Sequence, residues 1–214
     1  MKNFLICSLF IVALSAVGLS QARVQGRVLV FPVGFTEGTE TARKTAVQTY
    51  EEIFSGMGYS ILPTTVAERV WTQEMKQPMP TTSTPSDQLL LQLGQRMNAD
   101  LVVSGTVSWH TRSIWVGLGP RTISTATVDS QIVDVNKRAV VLKVDDVEGR
   151  SDERADAWRY AAAVVVNPLI TAVSGGPATP QEQRAAQLAI ARSLTPFMVE
   201  QAVKPRPIPR RTGG

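Results

Sequence analysis

Hydrophobic and polar positions recur with two different periods along this chain, and each change of period marks an element. The longest stretch at period two runs from Ala99 to Val147: ADLVVSGTVSWH, then RSIWVGLGPRTISTATVDSQIVDV, then RAVVLKVDDVEG. Val, Ile, Thr and Trp dominate it, the types that fill a pleated, half-buried surface. Two turn signals divide it, Gly117-Leu118-Gly119-Pro120 and Asp134-Val135-Asn136-Lys137. The pattern predicts three consecutive antiparallel strands, a meander against which the other elements pack. Val107, Trp109 and Trp115 fall on one face of its first strand, with Thr111 and Ser113 between them. On its last strand Val140, Leu142 and Val144 alternate with Val141, Lys143, Asp145 and Val147.

Upstream, Arg27 to Val33 is a continuous apolar run, which predicts a strand buried on both faces and ended by Pro32 and Gly34. Gly34 to Gly38 is a loop. Thr39 or Thr41 caps the helix that follows, whose inward face carries Ala42, Ala46, Tyr50, Ile53 and Met57 up to Gly58. Glu51 and Glu52 lie in this helix as adjacent residues, point about 100° apart and so form a solvated face rather than a carboxylate pair. Tyr59 to Pro63 predicts a short second strand and completes a βαβ unit. A short helix follows over Thr65 to Met75, turning Val66, Val70 and Trp71 inward. The Pro- and Thr-rich Gln77 to Pro85 reads as an exposed loop. Thr84 or Ser86 then caps a helix with the stripe Leu89, Leu90, Leu93 and Met97.

After the meander, helical spacing of Ala155, Trp158, Ala162, Val165, Leu169 and Val173 predicts a helix that starts at Ser151 and kinks at Pro168. Gly175-Gly176-Pro177 breaks it. Thr179-Pro180-Gln181-Glu182 starts the last helix as cap, first-turn proline and capping-box glutamate, with an end at about Leu194 before Pro196. The expectation is an α/β fold: one domain over residues 23–203, a mixed sheet with a βαβ start and a carboxy-terminal meander, and helices packed on the sheet. The basic, Pro- and Arg-rich residues 204–214 are expected to be disordered, and Arg206, Arg210 and Arg211 are read as solubilising.

The first residues add a location. Lys2 supplies a positive n-region, Phe4 to Val17 an apolar core, and Ser20 and Ala22 the small residues that a signal peptidase reads. Residues 1–22 are therefore a signal peptide, with the mature chain starting at Arg23. The apolar run falls short of the roughly 20 residues needed to span a bilayer, so no membrane span is expected after cleavage. Cys7, the only cysteine, lies in this leader behind Phe4-Leu5-Ile6, which is no lipoprotein box. A mature chain without thiols has no disulfides, thiolate nucleophiles or cysteine metal sites. Its 43% hydrophobic content is enough for a core without them. A net charge of +4 does not call for a polyanion, and no nucleic-acid partner is expected.

Candidate chemistry is sparse. His110, the only histidine, has no nucleophile or orienting carboxylate at a recognisable spacing. Asp145, Asp146, Glu148, Asp152, Glu153 and Asp156 form the densest acidic cluster, the place where a hard cation would bind. They match no calcium-loop pattern, and Arg150 and Arg154 neutralise part of their charge, so a solvated strand end explains them. Gly117-Leu118-Gly119 lacks the third glycine and following helix of a dinucleotide cradle and reads as a hairpin turn. No catalytic, cofactor-binding or metal-binding residue is assigned. Trp109, His110, Arg112 and Trp115 remain as candidate protein-binding residues, because tryptophan and arginine are favoured interface anchors.

ADLVVSGT, Ala99 to Thr106, resembles the Ala-Asp, strand, Gly signature of TolB amino-terminal domains and of CsgG- and LpoB-like envelope proteins. QIVDVNKRAVV, Gln131 to Val141, is similar to their Val-Asp, turn, strand hairpin, though Asn136-Lys137 stands where that group has Thr-Gly. The resemblance covers roughly residues 27–154. It implies a non-catalytic envelope component that binds or assembles with other proteins, and it carries no active-site residue with it. The reading is thus an exported, periplasmic or extracellular protein without cofactor, acting by binding other envelope proteins or by self-association. Two alternatives stand beside it: a secreted hydrolase using the acidic cluster 145–156, and a pore-forming outer-membrane secretion subunit that inserts the Trp109–Trp115 hairpin.

Overall fold

The computed structural model describes residues 25–117, 119–153 and 181–203. In chain order they form β1 (Gly26–Thr36), α1 (Glu40–Gly56), β2 (Tyr59–Ile61), α2 (Thr64–Arg69), α3 (Asp87–Met97), β3 (Leu101–Val116), β4 (Gly119–Asp134), β5 (Ala139–Arg150) and α4 (Gln181–Val203). β1 pairs in parallel with β2 on one side and β3 on the other, and β4 and β5 follow antiparallel. The sheet is mixed and open, in the order β2-β1-β3-β4-β5. This is the α/β domain that the hydrophobic periods predict, with the βαβ start and the meander in place. The expected signal peptide, most of the helix expected over 151–173, the expected cap at Thr179-Pro180 and the tail from Lys204 lie outside the described residues.

Helices cover both faces of the sheet, which is why β1 is apolar at consecutive rather than alternate positions. On one face Val28, Val30, Val103, Val107, Val128 and Ile132 pack with Tyr50, Ile53 and Phe54 of α1 and Ile190, Leu194 and Phe197 of α4. On the other, Leu29, Phe31, Val102 and Val133 meet Ala67, Trp71, Leu90 and Leu93 from α2, α3 and the turn between them. The period-two alternation along each strand sorts its residues between these two cores.

β1 runs farther than predicted, through Pro32 and Gly34 to Thr36. Val30 pairs with Val103 and Val33 with Gly105, so Phe31 and Pro32 together oppose Ser104. A proline, lacking an N–H, is tolerated in an inner strand where a bulge interrupts the ladder. The Ser104 hydroxyl donates to the Pro32 carbonyl at 2.7 Å there. In α1, Thr39 is the cap, its hydroxyl accepting from the Ala42 N–H, and Gly58 takes a φ of +90° just past the helix end.

Three predicted details are corrected. Val66 is exposed, standing about 100° round α2 from the buried Ala67, and Val70 and Trp71 are buried from the turn that follows. α2 passes into a π-helical turn over Val70–Glu74, and the Trp71 indole donates to the Pro78 carbonyl at 2.9 Å. α4 continues through Pro196 to Val203. The proline removes one helical hydrogen bond, whereas Phe197 and Met198 beyond it are buried, Phe197 with its ring 5.8 Å from that of Phe54. Finally, the alternation on β5 breaks twice, between Ile132 and Val133 and between Val128 and Ser130 of β4. As a result Val141 and Val144 pack on the α1/α4 side and Val140 on the other.

Candidate interaction surface

The carboxylates of the two family-like motifs hold strands together. Asp100 accepts from the Arg27 N–H at 2.7 Å and from the Asn136 side chain at 3.0 Å, while its carbonyl accepts from the Val135 N–H. It thereby ties the start of β1 to the β4–β5 turn. The Arg27 N–H, and then the Asn136 amide, hold its carboxyl below the usual carboxylate range. Asp134 caps that turn, accepting from the Lys137 N–H and pairing with the Lys137 ammonium at 2.8 Å. Burial pushes its carboxyl up, but the Lys137 contacts outweigh this and leave it low. Both aspartates are spoken for by backbone and turn.

A buried hydroxyl chain lies beneath the sheet. The Tyr50 hydroxyl is 2.7 Å from Ser130 Oγ, which is 2.7 Å from Ser193 Oγ, and Ser193 donates to the Ile190 carbonyl. Burial raises the Tyr50 hydroxyl well above its ordinary value. All three residues are sealed between α1, β4 and α4, so the chain joins the layers and no substrate reaches it. Glu51 is also raised, by partial burial and then by Glu52, and among the described residues it has no partner that would make it a base.

The acidic cluster is dispersed. Asp145, Asp146 and Glu148 are exposed along β5. Asp152 is bound bidentately by Arg150 and Glu153 by Arg192, and Asp156 lies outside the described residues. Among the described residues no three His, Cys, Asp or Glu side chains gather closely enough to hold a metal ion. Ser151 to Glu153 form a turn, with Ser151 exchanging hydrogen bonds with Ser124.

What stands out from the domain is the β3–β4 ribbon. Its register is unbroken from Leu101–Asp134 to Val116–Gly119, where Gly117, at a φ of +46°, begins a tight hairpin turn. β1 accompanies β3 only as far as Ser108, and β5 accompanies β4 only as far as Thr125. Beyond those points the two strands pair, among the described residues, only with each other, apart from the Ser151 contact, while Trp109, Ile123 and Ser124 at the base remain buried. β1 stops there because Glu37 and Gly38, both at positive φ, turn the chain across Trp109. A Cβ on Gly38 would come within 2.4 Å of the Trp109 ring.

The four predicted binding residues separate on this ribbon. Trp109 and Trp115 share a face, as their odd numbering requires, but their surroundings differ. Trp109 is 3% exposed, stacked on Phe35, and its indole donates to the Glu182 carbonyl at 3.1 Å. The Glu182 carboxylate in turn accepts from the N–H and hydroxyl of Thr39, which locks the starts of α1 and α4 together. Trp109 is a core residue and leaves the candidate surface. Trp115, past the reach of α4, is 76% exposed. His110 and Arg112 are exposed on the opposite face. Sequence reasoning missed Arg121, which pairs with Ile114 and so stands diagonally beside Arg112 on that same face. The hairpin register would have found it once the turn was counted as Gly117-Leu118. Among the described residues neither arginine has an acidic partner, and no helix is long and apolar enough to cross a membrane.

No protein-family model and no curated protein matches the chain. Several solved structures resemble it. Lipoprotein GNA1162 from Neisseria meningitidis superposes with a TM-score of 0.43 at 15% identity, over 70% of this chain and 99% of that one. The LpoB carboxy-terminal domain from Escherichia coli gives 0.38 at 14% identity, over 60% and 83%. The PelC dodecamer from Paraburkholderia phytofirmans gives 0.40 at 18% identity, over 80% and 86%. At identities this low a likeness assigns no site residue.

Proposed function

We propose that this chain is an exported envelope protein that acts by binding other proteins, without catalysis, and that the β3–β4 ribbon is its binding surface. The observation that carries the reading is Trp115, 76% exposed near the end of a ribbon that leaves the body of the sheet. An indole so placed forgoes the burial that would stabilise the fold, and exposed aromatic and arginine side chains, here on the two faces of one ribbon, are favoured binding anchors. The absence of catalysis is supported by the employment of the polar groups: the motif aspartates serve strand ends and turns, and the buried hydroxyls serve layer packing. Export is supported by the leader Met1 to Ala22, and amino-terminal sequencing of the mature protein should begin at Arg23.

The test is partner capture. Trp115→Ala and Arg112→Ala are each compared with the unaltered protein by thermal melting and by retention of envelope proteins, identified by mass. The expected result is unchanged melting with reduced capture. Capture equal to that of the unaltered protein in both variants would move binding away from the ribbon.

A further inference from the structure

We infer that the partner contributes an extended segment with acidic residues at every second position, added as a strand along the outer edge of β3 between His110 and Trp115. This inference rests on the ribbon being the binding surface and specifies what the ribbon takes.

The edge is the first argument. Past the Thr36–Ser108 pair, β3 keeps its β4 partner on one side and, among the described residues, has no strand on the other. Alternate residues of such an edge direct N–H and C=O groups outward, a template for an incoming strand. The opposite edge, on β4, is already taken at its base: the Ser151 N–H donates to the Ser124 carbonyl and the Ser124 N–H to Ser151 Oγ. Ser151 therefore occupies the base of one edge, and among the described residues no strand occupies the β3 edge.

Charge is the second. From Val107 to Val128 there is no aspartate or glutamate, whereas Arg112 and Arg121 lie within that stretch. Register places His110, Arg112 and Arg121 on one face, the two arginines as diagonal neighbours about 7–8 Å apart. Trp115 is on the other face, with Thr111, Ser113 and Thr122. This division separates a strand from a lipid surface. A ribbon lying on an anionic bilayer would need its tryptophan and arginines on one side, where interfacial depth brings both into contact. An added strand has side chains on both faces at period two, so its acidic residues stand beside His110 and Arg112, with Arg121 one strand farther on the same face, while the intervening apolar residues meet Trp115.

The probe is a fluorescein-labelled peptide of four Glu-Val repeats with blocked ends, titrated with the mature full-length protein by fluorescence anisotropy at low salt. A Lys-Val peptide of equal length and a Glu-Val peptide N-methylated at alternate residues serve as comparisons. The Glu-Val peptide should bind at least tenfold more tightly than either. In the double variant Arg112→Glu/Arg121→Glu, with its melting temperature confirmed, the preference should invert in favour of Lys-Val. Equal binding of the two charges, Glu-Val binding that survives N-methylation, or an uninverted preference would each overturn the inference. So would phosphatidylglycerol vesicles that are bound through the arginines when the peptide is not, or an oligomer of this chain dissolved by the double variant with no peptide effect. If Trp115→Ala loses envelope capture while the peptides show no preference, the ribbon remains the binding surface and the acidic strand alone falls.

Discussion

Trp109 and Trp115 lie six residues apart on one face of one strand, and their truncation to alanine should have opposite consequences. Trp109 is 3% exposed, stacked on Phe35 and bonded through its indole N–H to the Glu182 carbonyl. Removing a buried tryptophan side chain costs about 3–5 kcal/mol, through lost transfer energy and the cavity left behind. The backbone of Gly38 lies against this ring, and relaxing into the cavity would pull on the α1–α4 junction held by Glu182 and Thr39. That places the cost toward the upper end. For a chain of this size each kcal/mol lowers the melting temperature by about 2–4 °C, so Trp109→Ala should melt about 6–20 °C lower. Trp109→Phe keeps a ring and loses the donor, an expected loss of about 1 kcal/mol for the hydrogen bond besides the smaller area. Trp115 is 76% exposed, and Trp115→Ala should stay within about 0.5 kcal/mol of the unaltered protein. Differential scanning calorimetry on the variants reads all of this. A Trp115→Ala protein that melts as low as Trp109→Ala, or a Trp109→Ala protein within about 2 °C of the original, would refute the placement of the two side chains.

Other perturbations probe the layers and the turns. A Cβ at Gly149 would come within 2.4 Å of Ala185 O and Ala189 N, both backbone atoms of α4, so Gly149→Ala should cost about 1–3 kcal/mol in denaturant melts and Ala185→Gly should not rescue it. Ser130→Ala strands the Tyr50 hydroxyl and removes a partner from Ser193, an expected loss of about 1–3 kcal/mol. Tyr50→Phe leaves the Ser130–Ser193 bond intact and should cost less, about 0.5–1.5 kcal/mol, with a reversed order arguing against the chain of hydroxyls. Asp100 and Asp134 are held below the ordinary carboxylate range when folded. Their contribution is therefore complete above about pH 4 and is lost as pH falls through their depressed folded values. The melting temperature of Asp100→Asn should fall less steeply than that of the unaltered protein on acidification, and parallel curves would show that this carboxylate is not linked to folding.

Much of the fold was legible because a single helix or strand face suffices to place it. Ala42, Ala46, Tyr50 and Ile53 declared the inner face of α1, and the turns at Gly117 and Asp134 cut the meander where the strands do end. What escaped depended on residues far away in the chain. Pro32 and Pro196 both look like terminators, since each removes a backbone donor. Pro32 survives in β1 because Ser104, 72 residues later, accommodates a bulge there. Pro196 survives in α4 because Phe197 and Met198 are buried beyond it. Val66 differed from Ala67 by one position of helical phase, too little for a six-residue helix to declare.

The candidate surface divides along the same line. By itself the sequence determined the order of the described elements, the two-faced burial of β1, the shared face of Trp109 and Trp115, and the presence of an arginine and histidine on the alternate positions, because period-two and period-3.6 geometry is local. Only the tertiary structure decided which tryptophan is core and which is surface. That outcome turns on where β1 stops and α4 begins: Gly38 and Glu182 close over Trp109, and neither reaches Trp115. Strand pairing likewise brought Arg121 beside Arg112, and the fold left Asp145 exposed while giving Asp152 to Arg150 and Glu153 to Arg192. Burial is a property of what arrives from elsewhere in the chain, and period records only which side is available to receive it.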